Sequence, residues 1–131
     1  MQPRNNFIFK IHLIISVIIV IPVAILYGWF PELTFDLFPN TMDEMSFYKA
    51  VMGLYLAFSL LWLLGIFNSN YFRVALISNM VFMLGLGFGR TISLLIDGVP
   101  GNAYLIGAFG EIALGLYGLW ALKKSTTFEL K

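Results

Sequence analysis

Three ionisable side chains stand where chemistry is possible and solvation by water is not: Arg90, Asp97 and Glu111, within the apolar, glycine-rich stretch 85–111. A guanidinium can hold a carboxylate or an anion, and a carboxylate can take up and release a proton. Arg90 precedes Asp97 by seven residues. On a helix that spacing puts both on one face, within roughly 20° and about 10 Å apart along the axis. Glu111 follows Asn102 by nine residues, which places it about 13 Å into the next helix, near the depth of Arg90. A charge at the centre of a membrane helix costs about 2.5–3.5 kcal/mol on insertion scales. Arg90 and Glu111 are therefore expected to meet rather than face lipid.

Two readings of that meeting stay open. The pair is a clamp that holds two helices in register, or it lines a cavity open to the outer face. In the second reading Asp97 sits at the mouth, with Ser93, Tyr48, Tyr55, Tyr104 and Lys49 nearby. An anion at a helix C-terminus opposes the dipole, so Asp97 is expected to have a cation, Arg90 or Lys49, in reach. His12 reads as a polar interface residue near the inner edge, and Asn79 as an interhelical hydrogen-bond partner. Tyr48, Met52, Tyr55, Ser59 and Trp62 share one helical face and read as core. Gly85-x-Gly87-x-Gly89 is no nucleotide loop, because it sits inside an apolar helix rather than after a strand. Gly85 and Gly89 with Ser93, and Gly107, Gly115 and Gly118 around Glu111, form small-residue stripes expected to let helix backbones approach.

The elements that position these groups follow from hydropathy. The chain has 131 residues, 60% hydrophobic and only 11% charged, against about a quarter charged in a soluble domain. Its surface must face lipid. Four apolar segments, 7–30, 46–67, 72–96 and 103–122, each approach the roughly 20 residues that span a hydrocarbon core. The expected fold is all-α: one membrane domain over 1–131, a four-transmembrane-helix antiparallel bundle. The first segment is read as a span rather than a signal peptide, since it runs past the usual apolar length of about 7–15 residues. Pro22 is expected to kink it, and Tyr27 to Phe30 to anchor it at the interface.

Between the spans lie turn signals. The apolar connection 31–45 should lie along the outer surface. Thr41-x-x-Glu44 has the form of a capping box. Ser69 or Asn70 is expected to cap the third helix, and Asn102 the fourth. Gly98 suits the left-handed position past a helix end. The fourth helix is expected to end at Leu122, before Lys123, Lys124 and a short polar tail. Four spans put Arg4, Lys10, Arg73, Lys123, Lys124 and Lys131 on one side and Lys49 on the other. Glu32, Asp36, Asp43, Glu44 and Asp97 accompany Lys49. The positive-inside rule then makes both termini cytoplasmic.

Composition also excludes. Without cysteine there is no disulfide and no thiolate chemistry, and one histidine argues against a histidine metal site. No cofactor or metal is expected, and no nucleic-acid partner; lipid, other membrane proteins or further copies of the chain are the expected partners.

Gly89-Arg90-x-x-Ser93-Leu94-x-x-Asp97-Gly98-x-Pro100, followed by Gly110-Glu111 and Gly115-Leu116, resembles domain-of-unknown-function family 4345, small bacterial membrane proteins. Leu26-Tyr27-Gly28 to Pro31 and the helix around Gly53 carry the resemblance over most of the chain. It implies a four-helix integral membrane protein with no assigned activity. The leading functional expectation is a non-enzymatic accessory or self-associating component of the bacterial cytoplasmic (inner) membrane. A small proton- or anion-linked carrier or channel using the same cluster is the alternative. An enzyme acting on membrane lipid, with Asp97 and Glu111 as acid and base, is third.

Overall fold

The structure is a computed structural model that describes residues 7–129. Every regular element in that range is helical: α1 (Phe7–Trp29), α2 (Pro31–Phe35), α3 (Met42–Phe67), α4 (Phe72–Ile96) and α5 (Asn102–Glu129), with a 3-10 turn at Ser69–Tyr71 before α4. Arg4 and Lys131 fall outside the described residues. Four of the helices are long and apolar enough to cross a membrane. At most 39% of the apolar window of any of these helices is buried within the chain, so the chain itself leaves most of their apolar surface uncovered.

Helix ends follow local chemistry. Thr41 and Glu44 close the capping box at α3: the Glu44 amide donates to Thr41 Oγ1 at 3.2 Å and the Thr41 amide to Glu44 Oε2 at 3.0 Å. Neither Ser69 nor Asn70 caps α4, whose N-cap is Tyr71 with no side-chain hydrogen bond; the side-chain cap here is that of Asn68 on the 3-10 turn. The Asn68 side chain accepts from the Asn70 amide at 3.0 Å and starts the 3-10 turn. Gly98 takes φ +104°, a conformation that side chains rarely adopt. The last helix does not stop at Leu122. Hydroxyls of Ser125, Thr126 and Thr127 donate to carbonyls three or four residues back, so the polar tail supplies its own partners and winds on to Glu129.

Packing pairs α4 with α5 and α1 with α3 most extensively, and α3 also packs on α4. Gly87 faces Ile112, Leu84 faces Gly115 and Met80 faces Gly118, so contacts step down α4 as they step up α5. We call the end that holds Phe7, Phe67 and Phe72 the near end, and the opposite end, with the α1–α3 and α4–α5 connections, the far end. The core runs through Leu13, Trp62, Ala75, Leu76 and Met83. Rings continue it: Phe82 packs on Tyr55, Phe58 and Trp62 at 5.0–5.2 Å. The connection 31–45 only partly lies free, for Phe35 stacks on Tyr27 at 4.3 Å while Leu33 and Phe38 are exposed.

Two lysines lock α1 to α3 reciprocally. Lys10, early in α1, donates to the Ile66 carbonyl in the last turn of α3 at 2.8 Å and lies over the Phe72 ring. Lys49, early in α3, donates to the Gly28 carbonyl in the last turn of α1 at 3.2 Å and lies over Trp29. Each cation meets carbonyls that lack an intrahelical donor, at the negative end of a dipole. Lys49→Met keeps the stem but removes the donor; it should lower stability by about 1 kcal/mol. Unfolding by SDS titration in mixed micelles measures this, and an unshifted midpoint would refute the cross-cap.

Candidate functional site

Arg90 is carried by the inward stripe of α4 that also holds Leu76, Asn79, Met83 and Leu86, at helical spacings of three and four. Glu111 is the matching position on α5. The Arg90 Nε donates to both carboxylate oxygens of Glu111, at 2.8 and 3.1 Å. The side chains are 22% and 14% exposed. In so dry a setting each charge needs the other, because a lone buried ion costs several kcal/mol. The guanidinium also lies over the Tyr104 ring, 5.5 Å from its centroid, and Tyr104 donates from its hydroxyl to the Phe35 carbonyl at 3.0 Å. The pair thus joins α4 to α5, and Tyr104 ties α5 to the α2 roof.

Three cavities meet at Arg90. One of about 220 Å³ lies between α1, α4 and α5, walled by Val20, Val23, Met83 and Leu114 and roofed by Phe35. A second, about 320 Å³, opens between α1, α3 and α4, beside Tyr27, Tyr48 and Tyr55. The third, about 90 Å³, runs between α4 and α5 toward Ser93 and Pro100. Apart from the ion pair and the phenols, the lining of the first two is aliphatic, aromatic or bare glycine backbone.

Of the residues expected at this site, Tyr48, Tyr55, Tyr104 and Ser93 share cavities with Arg90. Asp97 does not join the cluster. It is exposed and accepts from Ser93 Oγ at 2.8 Å; among the described residues no ion pair engages it. The expectation of a cation at Asp97 is corrected: a hydroxyl one turn earlier on its own helix satisfies it, together with solvent. Ser93 faces Asp97 for the same reason, and Lys49 is spent on the end of α1. Tyr27, read from sequence as an interface anchor, is instead 8% exposed and lines the Arg90 cavity beside Tyr55. Its position, seven residues beyond Val20 on the buried stripe of α1, was the available signal. Among the described residues no group of three His, Cys, Asp or Glu gathers that could hold a metal.

His12 and Asn79 also differ from their expected roles. His12 is no edge residue: it is 1% exposed, beside Tyr117 and Gly118. Asn79, fully buried, has no hydrogen-bond partner at either end of its amide.

The glycines divide in two. A Cβ on Gly115 would reach within 3.1 Å of the Leu84 backbone nitrogen, and one on Gly118 would touch His12 and Met80 at 3.4 Å. These two pack helices. Gly85, Gly89 and Gly107, expected to do the same, have nothing within 4 Å of such a Cβ; they border the cavities instead. The close approach on α4 belongs to Gly87, against Ile112. Gly85 and Gly89 lie almost opposite Gly87 on the helix, so spacing alone gave either face.

With the geometry in place, comparison with known proteins adds one result. A family described as "Domain of unknown function (DUF4345)" matches residues 8–122, and the chain belongs to that family. Neither the curated proteins nor the solved structures yield a match.

The two kinds of glycine predict opposite outcomes. Gly115→Ala should destabilise by about 1–3 kcal/mol through overpacking on Leu84. Gly107→Ala should be neutral or stabilising by up to about 1 kcal/mol, since alanine is the better helix former. Melting temperatures of the two variants in one detergent read the contrast, and equal losses would contradict it.

Proposed function

We propose that this chain is a non-enzymatic, multi-pass component of the bacterial cytoplasmic membrane, an antiparallel four-helix bundle with both termini cytoplasmic. In this reading Arg90–Glu111 clamps α4 to α5, and the far, outer end around it receives a second copy or an accessory partner. The observation that carries the reading is the pairing itself. Both oxygens of Glu111 accept from one guanidinium nitrogen, the geometry of a held anion rather than of a free acid or base. The grooves beside the clamp expose the bare faces of Gly85, Gly89 and Gly107, which suits close approach by a neighbouring helix.

Removing one partner leaves the other charge buried and unpaired. Arg90→Ala should therefore cost about 3 kcal/mol or more and disperse any oligomer or co-purified partner. The double variant Arg90→Met, Glu111→Leu should recover most of the stability, since neither charge then remains. Thermal unfolding and cross-linking in detergent test both, and an Arg90→Ala protein with unchanged melting and association would sink the reading.

Orientation rests on charge. Lys10, Arg73, Lys123 and Lys124 lie at the near end, and Lys49 with Glu32, Asp36, Asp43, Glu44 and Asp97 at the far end. Green fluorescent protein fused after Lys131 should fluoresce in cells, and alkaline phosphatase there should be inactive. The reverse pattern would invert the orientation.

A second reading draws on the cavities. Because three of them reach Arg90, a proton- or anion-linked carrier could use the same pair, with Glu111 released from Arg90 when it is protonated. Proteoliposome flux that is abolished in Glu111→Gln would favour this over the clamp.

A further inference from the structure

The near half of the structure carries polar groups that the Arg90 site does not use. His12, Ser59 and Asn79 are 1%, 1% and 0% exposed and come from α1, α3 and α4. Both imidazole nitrogens, the Ser59 hydroxyl and both ends of the Asn79 amide are without a hydrogen-bond partner. Their neighbours are satisfied. Ser16 donates to the His12 carbonyl at 2.7 Å, and Ser78 accepts from Trp62 Nε1 while donating to the Ala75 carbonyl. Among the described residues these five are the buried side-chain atoms left without a partner.

Their heights agree. The Trp62–Ser78 hydrogen bond sets the register of α3 against α4. From it, Asn79 lies one residue and Ser59 three residues farther from the near end, so the two fall within about one helical turn of each other in height. His12 borders the same turn: a Cβ on Gly118 would stand 3.4 Å from both the imidazole and the Cβ of Met80, the residue after Asn79. The Tyr117 ring packs 5.4 Å from the imidazole, and its hydroxyl donates to the Ile8 carbonyl at the exposed near end.

The chemistry of the five atoms names their ligand. They include donors and acceptors, and the packed neighbours bring no charge: Tyr117 is the titratable group facing from α5, and Lys10 on α1 is turned to the Ile66 carbonyl. Among the described residues an anionic ligand would find no cation against these atoms, and an apolar one would leave all five unpaired. Water, which makes about three hydrogen bonds to otherwise unsatisfied buried groups, meets both requirements.

We propose that His12, Ser59 and Asn79 enclose a buried water site in the near half, through which the His12 imidazole exchanges its proton with the adjoining aqueous phase. In that exchange one ring nitrogen takes a proton from water and the other returns its own, leaving the neutral ring as the other tautomer. Met83, 2% exposed, lies one turn beyond Asn79 and lines the Arg90 cavity, separating the two. The site is thus a second compartment, and it does not rest on how Arg90 is read.

His12 is the chain's one histidine, so nitrogen-15 histidine labelling of protein purified without a histidine tag reports on this site alone. In water-edited solid-state NMR of the full chain in lipid bilayers, both imidazole nitrogens should show hydrogen-bonded shifts and rapid transfer from water. Asn79→Leu should cut that transfer several-fold. A neutral ring with free-nitrogen shifts and no transfer in the unaltered protein would overturn the site. Transfer that survives Asn79→Leu undiminished would overturn its composition.

Discussion

Inside apolar helices the decisive constraint is that a charge or a bare backbone group has only protein to turn to. The Arg90–Glu111 pair is where that constraint acts hardest. Two full charges lie in the far half, 22% and 14% exposed, and neither is tolerable alone. Their meeting requires α4 and α5 to run side by side in one register. The same register lets Leu84 fill the notch at Gly115 and Ile112 the notch at Gly87. Charge pairing and close packing thus specify the same alignment, a local agreement of the kind that selects one structure over its competitors.

The same need explains the α1–α3 half. Helix ends leave carbonyls without donors, and Lys10 and Lys49 meet them in trans, one at each end. Their aliphatic stems also let the ammonium reach over an aromatic face, Phe72 or Trp29. At the far end Tyr104 performs a related task on the Phe35 carbonyl. These ties leave the outward surfaces free to be apolar, as Phe88, Ile106 and Phe109 are.

Much of the architecture was legible because membrane solvation is a one-dimensional rule. Apolar length locates the four long helices, and a hydroxyl three residues before a glutamate locates the start of α3. The departures share a cause. The end of α5 was missed because Ser125 to Thr127 look polar in sequence yet bond back to their own helix. Asp97 was assigned a cation because dipole reasoning ignores Ser93, a nearer and cheaper partner. Gly85 and Gly89 were read as packing because a stripe of small residues leaves room for close approach without showing on which face it occurs.

By itself the sequence determined four helices long and apolar enough to cross a membrane, the charge asymmetry between the ends, and the need of Arg90 for an anion, since each follows from the cost of placing given atoms in apolar surroundings. Only the tertiary structure decided that Tyr27 rather than Asp97 stands in the Arg90 cavity, that Gly87 rather than Gly89 meets α5, and that His12 is buried in the core. Those outcomes depend on how each helix is rotated about its axis. Rotation is set by the sum of many side-chain contacts across helices, and no local spacing encodes that sum.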